Sequence, residues 1–481
     1  MAESSGGPVL RESEVVFMYS ASEGAYRAYG TTFVGWGHAG TPEAVKMHHD
    51  LGIRCTGTIW CLTAGAERIH NDPAFREAVV RDIEGSPVEV PWLFDQVYKG
   101  TRTYFGCTNH PTFRKLNREL AREAMAGRPD GLHIDDPRGT ATPAVAFGGG
   151  FCDHCMAKFR EYLKTSASPE QLREAGTDDL DAFDYRDVVR RFATTREKYL
   201  QVHKQIPLMD LFQRFHCEAA AENIRGIAKV AEEAAGRPIL LSVNAYMMEE
   251  TFLPILRLDE VTHVICEVSH GAQRGTELLG SVVGAYEKAQ QLGKPVAVTG
   301  SGQDWAWVKA HGAVDLVKVW IALAYACGQR FMVPHPTRQW CMTPFLGTHW
   351  YAAPIEEFAP IYRFLRANER YFDGYSAVEH AEIAAPEGVV CTAREKPGAP
   401  PVVHVVNTRY VPRSEGPRLH DHVPPGRDVP ITLPAALAGD ATQATLLSYD
   451  ADPQTVPLRA EGAKVSLQVP EVRIWTMIIF E

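Results

Sequence analysis

The chain has 481 residues, 45% hydrophobic and 22% charged, which is the balance of an ordinary globular protein. Its net charge is −10 and no run of like charges interrupts it, so it lacks the basic stripe that a nucleic-acid partner requires. No apolar run approaches the roughly 20 residues of a membrane span, no basic-then-apolar leader opens the chain, and ten cysteines over this length are too sparse for a disulfide scaffold; reduced thiols, a cytoplasmic location and no membrane partner are expected.

Short β-branched runs alternate with helical stretches along the first three quarters of the chain. Thr31–Gly37 is the first clear run, with Val15–Tyr19 an additional strand candidate ahead of it. Thr41-Pro42 then offers a helix cap followed by proline at the first helical position, and Gly52 closes that helix. Further runs are Ile53–Trp60, Thr101–Cys107, Gly131–Asp135, Pro238–Asn244, His263–Val268, Pro295–Thr299 and Arg330–Val333. Helical candidates lie at 112–126, 207–235, 274–292 and 312–327. Strands alternating with helices read as parallel βα units, and eight of them predict an α/β fold, a (β/α)8 TIM barrel over residues 1–375. An open doubly wound sheet is the alternative. Residues 138–206 are too long for a plain crossover and read as a subdomain inserted after strand four, across the barrel mouth. After about residue 375 the helical pattern stops. Runs such as Val402–Val406, Lys464–Val469 and Arg473–Phe480, separated by turn residues, predict a C-terminal antiparallel β-sandwich over 376–481.

Catalytic groups of such barrels project from the C-terminal ends of the strands. In chain order these ends carry Trp36 and His38, then Trp60, then Asn109 and His110. His133, Asp135 and Asp136 follow, then Asn244 and Tyr246, Glu267, Asp304 and Trp305, and finally His335 and Trp340. Aromatic rings cover the apolar faces of sugar rings, while amides, carboxylates and imidazoles pair with hydroxyls, so the mixture points to a carbohydrate substrate. Glycosidic cleavage needs two carboxyl groups about the anomeric carbon. Asp135 ends an apolar strand; alternation sets it on one side with His133 and sends Asp136 to the other. Its bland reading is a cap on a turn at Asp136-Pro137. Glu267 lies in Val264-Ile-Cys-Glu-Val268, where an idle charge is costly to bury; its bland reading is an ion pair. Burial there suits a general acid. Asp304 is the rival second carboxylate. Cys152-Asp-His-Cys155 supplies half of a zinc site, which Cys107 or His110 could complete, but two thiols do not establish a metal. No metal and no cofactor are assigned.

Gly131-Leu-His-Ile-Asp-Asp-Pro137, followed by Gly149-Gly-Phe-Cys-Asp-His-Cys-Met-Ala-Lys-Phe-Arg-Glu-Tyr-Leu163, resembles hypothetical glycoside hydrolases whose TIM barrel is related to the alpha-amylase and beta-galactosidase groups. In those proteins a strand four of this pattern carries a catalytic aspartate. The resemblance therefore implies that role for Asp135 and a neighbouring subsite role for His133. It departs from the amylase pattern at strand five, which ends in Asn244 where a catalytic glutamate would stand. A strand-four/strand-six pair, Asp135 with Glu267, is the form it implies instead. The expected function is a glycoside hydrolase on a small glycoside or oligosaccharide. A non-catalytic carbohydrate-binding barrel and a metal-dependent amidohydrolase are the alternatives. The amidohydrolase needs a His-x-His on strand one, where this chain has Trp36-Gly-His38. Homo-oligomerisation is left open.

Overall fold

The β-branched and aromatic runs become short buried strands. The structure, a computed structural model, describes residues 8–37, 41–379, 381–411 and 423–480. Eight strands form one sheet in chain order: β1 (Val16–Phe17), β2 (Phe33–Val34), β3 (Arg54–Trp60), β4 (Gly131–Asp135), β5 (Leu240–Val243), β6 (His263–Val268), β7 (Val296–Gly300) and β8 (Arg330–Phe331). Parallel pairs include Phe33↔Arg54, Thr56↔Gly131, Gly131↔Leu240 and Val264↔Val296. Just beyond β8, Val333 is bridged in parallel to Phe17, and its N–H donates to the Val16 carbonyl at 2.7 Å, so the last strand returns to the first. This is the (β/α)8 barrel that the alternation predicts. Strands β1 and β2 are buried throughout, which is why their sequences are apolar without alternation.

Two runs exchange roles relative to expectation. Val15–Tyr19 supplies β1, whereas Thr101–Cys107 lies outside the barrel sheet. It makes antiparallel bridges with the segment before it, Glu89↔Tyr104 and Val79↔Gly106. β3 pairs in parallel directly with β4, Trp60 opposite Asp135, which leaves the run no place between them, and the long amphipathic helix α1 (Pro111–Met125), which comes after the run, leads into β4. Residues 61–110 are therefore a loop excursion at the end of β3.

The chain packs as two compact units. One is mostly Thr56–Thr262; the other joins Val9–His38 and Lys46–Cys55 to His263–Glu481. The first carries β3 from Thr56 onward, β4, β5, α1, α2 (Asp153–Ser166) and α3 (Met209–Ala235). Its segment 138–206 is helical. Phe151, Phe159 and Tyr185 of that segment share a core with Val88 and Phe105 of the excursion and with Phe212 on α3. The 27-residue α3 ends at Gly236, whose φ of 67° suits glycine at a helix C-terminus.

The second unit holds β6–β8, β1, β2, α4 (Gly302–His311) and the almost wholly apolar α5 (Val314–Ala326). A hairpin of β9 (Gln339–Thr343) and β10 (Gly347–Tyr351) follows β8. The C-terminal region is antiparallel. Its strands are β11 (Ser376–Ala377), β12 (Val389–Glu395), β13 (Val402–Asn407), β14 (Gly426–Pro434), β15 (Gln443–Ser448), β16 (Gln454–Pro457), β17 (Arg459–Glu461), β18 (Lys464–Val472) and β19 (Trp475–Phe480). They form a six-stranded sheet, β11-β12-β13-β19-β15-β16, and a three-stranded sheet, β14-β18-β17. Val403, Val405 and Ile478 of one sheet pack with Ile431, Leu467 and Val469 of the other, giving the expected sandwich. Among the described residues no helix is long and apolar enough to cross a membrane.

Candidate active site

In the first unit the candidates gather at the ends of β3, β4 and β5. Asp135 is the last residue of β4 and stands in register with Trp60, the last residue of β3. Its Oδ1 accepts two hydrogen bonds, from Asn244 Nδ2 just past β5 at 3.0 Å and from the Asp136 backbone N–H at 2.9 Å. Both fix the carboxylate's orientation. The chain then turns sharply. Asp136 has a φ of 46°, a left-handed conformation that costs most side chains energy but that aspartate tolerates better than most.

That turn decides where Asp136 points. Strand alternation predicts that Asp136 leaves on the face opposite Asp135, but β4 ends at Asp135 and alternation ends with it. Asp136 Oδ2 instead accepts the Trp60 indole Nε1–H at 2.7 Å. Desolvation raises the Asp136 carboxyl pKa above its ordinary value, against the lowering effects of the Trp60 bond and the Arg138 charge. Arg138 in turn pairs with Glu249, donates to Thr251 Oγ1 at 2.8 Å and lies over the Phe252 ring at 4.1 Å. It ties the loop after β4 to the segment after β5. Sequence reasoning missed Arg138 and Glu249; their only signal is opposite charge just beyond strands four and five.

The other candidates of this unit are dispersed. His133 is buried in the barrel wall, with Nδ1 at 2.9 Å from Ser242 Oγ on β5. Tyr246 is half-buried. Asn109 and His110 do not stand at the end of a barrel strand. They start α1, where His110 Nδ1 caps the helix by accepting the Thr112 N–H, and Asn109 Nδ2 lies 3.5 Å from Cys155 Sγ. The sequence pair Cys152/Cys155 is joined there by Cys107, the three sulfurs lying within metal-ligand spacing of one another.

The second unit carries the remaining candidates. Glu267 is the penultimate residue of β6, half-buried and opposite Thr299 on β7. Trp36 is buried beyond β2, and His38 lies outside the described residues. Asp304 is 4% exposed, and its carboxylate accepts from the His270, Ala272 and Ser301 backbone N–H groups and from Ser301 Oγ. It serves α4 and the loop after β6. Trp305 is wholly buried, its Nε1–H donating to Thr299 Oγ1 at 2.9 Å. His335 is also buried. Its Nδ1 accepts from the Thr337 and Arg338 N–H groups, its Nε2–H donates to the Ser20 carbonyl, and burial lowers its pKa to about 4. Half-buried Trp340 packs on Gly302, where a Cβ would fall 2.4 Å from its ring.

The second unit also presents two aromatic rings, Tyr19 and Trp350, that sequence reasoning missed, beside Arg338 at the end of strand eight. Arg338 lies 5.6 Å over the Tyr19 ring and 5.0 Å over the Trp350 ring, and Trp350 is 42% exposed. Tyr19 follows β1, so counting Val15–Tyr19 as a full strand would have brought it into view.

No family model matches the chain. By sequence it is 22% identical over 317 residues to an alpha-agarase of Alteromonas agarilytica and 21% identical over 306 residues to one of Thalassotalea agarivorans. These alignments cover 63% and 62% of this chain but only 21% and 20% of those proteins, so the chain spans about a fifth of the curated relatives it matches. By structure it superposes on a Paenibacillus cycloisomaltooligosaccharide glucanotransferase with a TM-score of 0.58 and 9% identity, covering 97% of this chain and 84% of that one. An alpha-amylase of Geobacillus thermoleovorans gives a TM-score of 0.55 at 8% identity, with 98% of each chain covered. The chain has the barrel-and-β-domain fold of the alpha-amylase.

Proposed function

We propose that the chain hydrolyses glycosidic bonds in an oligosaccharide or small glycoside. The observation that carries this reading is the clasp on Asp135: a strand-end carboxylate oriented by Asn244 and by the Asp136 backbone, beside an indole that is itself held by Asp136. Asp135 is the nucleophile or the water-activating carboxylate, and Glu267 is the acid. The similarity to alpha-agarases makes agar oligosaccharides the first substrates to try, with α-glucans second. The thiols, none of them in a disulfide and all buried except half-buried Cys327 and Cys391, fit a reducing, cytoplasmic setting.

A second assignment of the acid is favoured by one observation. Burial raises the pKa of Asp136, which is what a proton donor requires. Three variants separate these roles. Asp135→Asn keeps size and hydrogen bonding, so turnover falls by several orders of magnitude while sugar binding, read by calorimetry, persists. The acid is the residue whose amide variant, Glu267→Gln or Asp136→Asn, loses activity on poor leaving groups and retains it on activated aryl glycosides, which need little protonation. Unchanged turnover in all three variants, on any substrate the native chain cleaves, would remove the glycosidase reading.

A further inference from the structure

We propose that Arg338, held against Tyr19 and Trp350, is a subsite for an anionic sugar residue, so that the saccharide this chain takes carries a carboxylate or a sulfate ester. This assignment rests on the glycosidase reading above and names the substrate class within it. The residues concerned all belong to the second compact unit.

Tyr19 lies just beyond β1, and Arg338 lies between β8 and the first strand of the hairpin, β9. Both therefore follow the C-terminal ends of barrel strands, where such barrels bind substrate. Trp350 is on β10, opposite Trp340 on β9. His335 fixes the segment that carries Arg338. Its ring, 1% exposed, accepts the Thr337 and Arg338 N–H groups on Nδ1 at 3.2 and 3.0 Å, and its own backbone N–H donates to Oε1 of buried Gln339 at 3.0 Å. The backbone of Arg338 is thus set, and the two rings place its side chain. Those rings meet each other edge-on, with centroids 6.3 Å apart.

An exposed arginine against an aromatic ring is by itself ordinary packing. Several features separate Arg338 from that case. Among the described residues its guanidinium meets two rings and no carboxylate. This is a chain with 59 acidic residues to 49 basic ones, in which Arg54, Arg114 and Arg186 all have carboxylate partners. Stacking engages the faces of the guanidinium and leaves its N–H edges, which bind a carboxylate or a sulfate through two parallel hydrogen bonds. The rings also restrict the side chain beforehand, so a ligand has less of it to order. Lys309 on α4 donates to the Trp350 carbonyl at 2.9 Å and brings a second positive charge to the same strand.

The same features select the ligand. Trp350 keeps ring surface open to solvent, which suits the apolar face of a sugar. One guanidinium fork beside one such ring matches a single acidic substituent on a saccharide. A nucleic-acid backbone needs a row of cations, and the net charge of −10 opposes it.

Binding and turnover are read separately. Calorimetry on the full chain carrying Asp135→Asn, which spares the ligand, compares two matched pairs: agarotetraose with agarotetraose bearing one sulfate ester, and galactotetraose with tetragalacturonate. At least one anionic probe should bind about 10–100-fold more tightly than its neutral counterpart, the range of hydrogen bonds between charged groups. The preference should shrink as ionic strength rises. The sulfate and carboxylate pairs show which anion the site takes. Arg338→Gln should bring the two members of that pair to equal affinity. Arg338→Lys, which keeps the charge and loses the planar fork, should retain only part of the preference. Arg338 is exposed, so neither variant removes core packing. In turnover, Arg338→Gln should raise KM for the anionic substrate more than for the neutral one. Equal affinity within both pairs, or a preference that survives Arg338→Gln, overturns the proposal. An Arg338-dependent preference without cleavage of the bound probe would leave this site standing and sink the hydrolase reading. Cleavage of neutral and anionic probes with equal kcat/KM would do the reverse.

Discussion

Asp136 holds a carboxyl at a left-handed turn, against an indole, in a place that desolvates it. Its folded-state pKa lies above the unfolded value of about 3.9, so the folded state binds that proton more tightly. The associated stability is present in full below the ordinary carboxylate range and is lost as pH rises through the raised value. Asparagine in its place keeps an oxygen for the Trp60 Nε1–H, tolerates the positive φ and never ionises. Asp136→Asn should therefore raise the thermal midpoint at pH 7 by more than at pH 4, whatever it does to activity. An equal shift at both pH values would show that burial of this carboxylate is not destabilising. The sequence made Asp135 visible because an apolar strand ended on it. It did not show which way Asp136 points, since the side chain's direction is set by one backbone angle at the strand end.

Helix α4 illustrates why a strand-end carboxylate need not face a ligand. Ser301 and Asp304 form a reciprocal cap, in which Ser301 Oγ accepts the Asp304 N–H and Asp304 accepts the Ser301 N–H. The same carboxylate also accepts the His270 and Ala272 N–H groups, at 2.9 and 2.8 Å. Asp304→Ala removes the cap and strands several buried donors, so it should cost about 3 kcal/mol or more. Denaturant unfolding measures that loss. If Asp304→Asn instead abolishes turnover with no change in midpoint, the carboxylate acts on substrate and not on the helix. The capping pattern, serine followed three residues later by an acid, was present in the sequence. Position at a strand end drew the reading toward chemistry. The exchange between Thr101–Cys107 and Val15–Tyr19 has a similar origin: both runs look like strands, and only the direct pairing of β3 with β4 shows which one joins the sheet.

For the whole molecule, the barrel and the sandwich were legible because periodicity changes where the architecture does, from apolar runs between helices to alternating strands. The environment of each histidine was not, because burial is a property of the packed chain. Burial lowers the pKa of His216, His270 and His335 to about 4 and that of His263 and His404 to about 3, with Arg330 and Arg54 adding to the effect at His263 and Arg394 at His404. Unfolded histidine titrates near 6.5, so below that pH the unfolded state takes up protons that the folded state refuses. The stability these groups contribute is complete above about 6.5 and is lost as pH falls toward the folded values, at roughly 1.4 kcal/mol per pH unit for each histidine. The thermal midpoint should accordingly fall steeply from pH 6.5 to pH 4.5, ahead of most carboxylate titration. His404→Gln, which keeps an acceptor for the Trp475 Nε1–H now 3.3 Å from His404 Nδ1, should make that slope shallower by one histidine's share. A midpoint flat between pH 7 and pH 5, or a slope that His404→Gln leaves unchanged, would contradict the burial that the fold imposes on these rings.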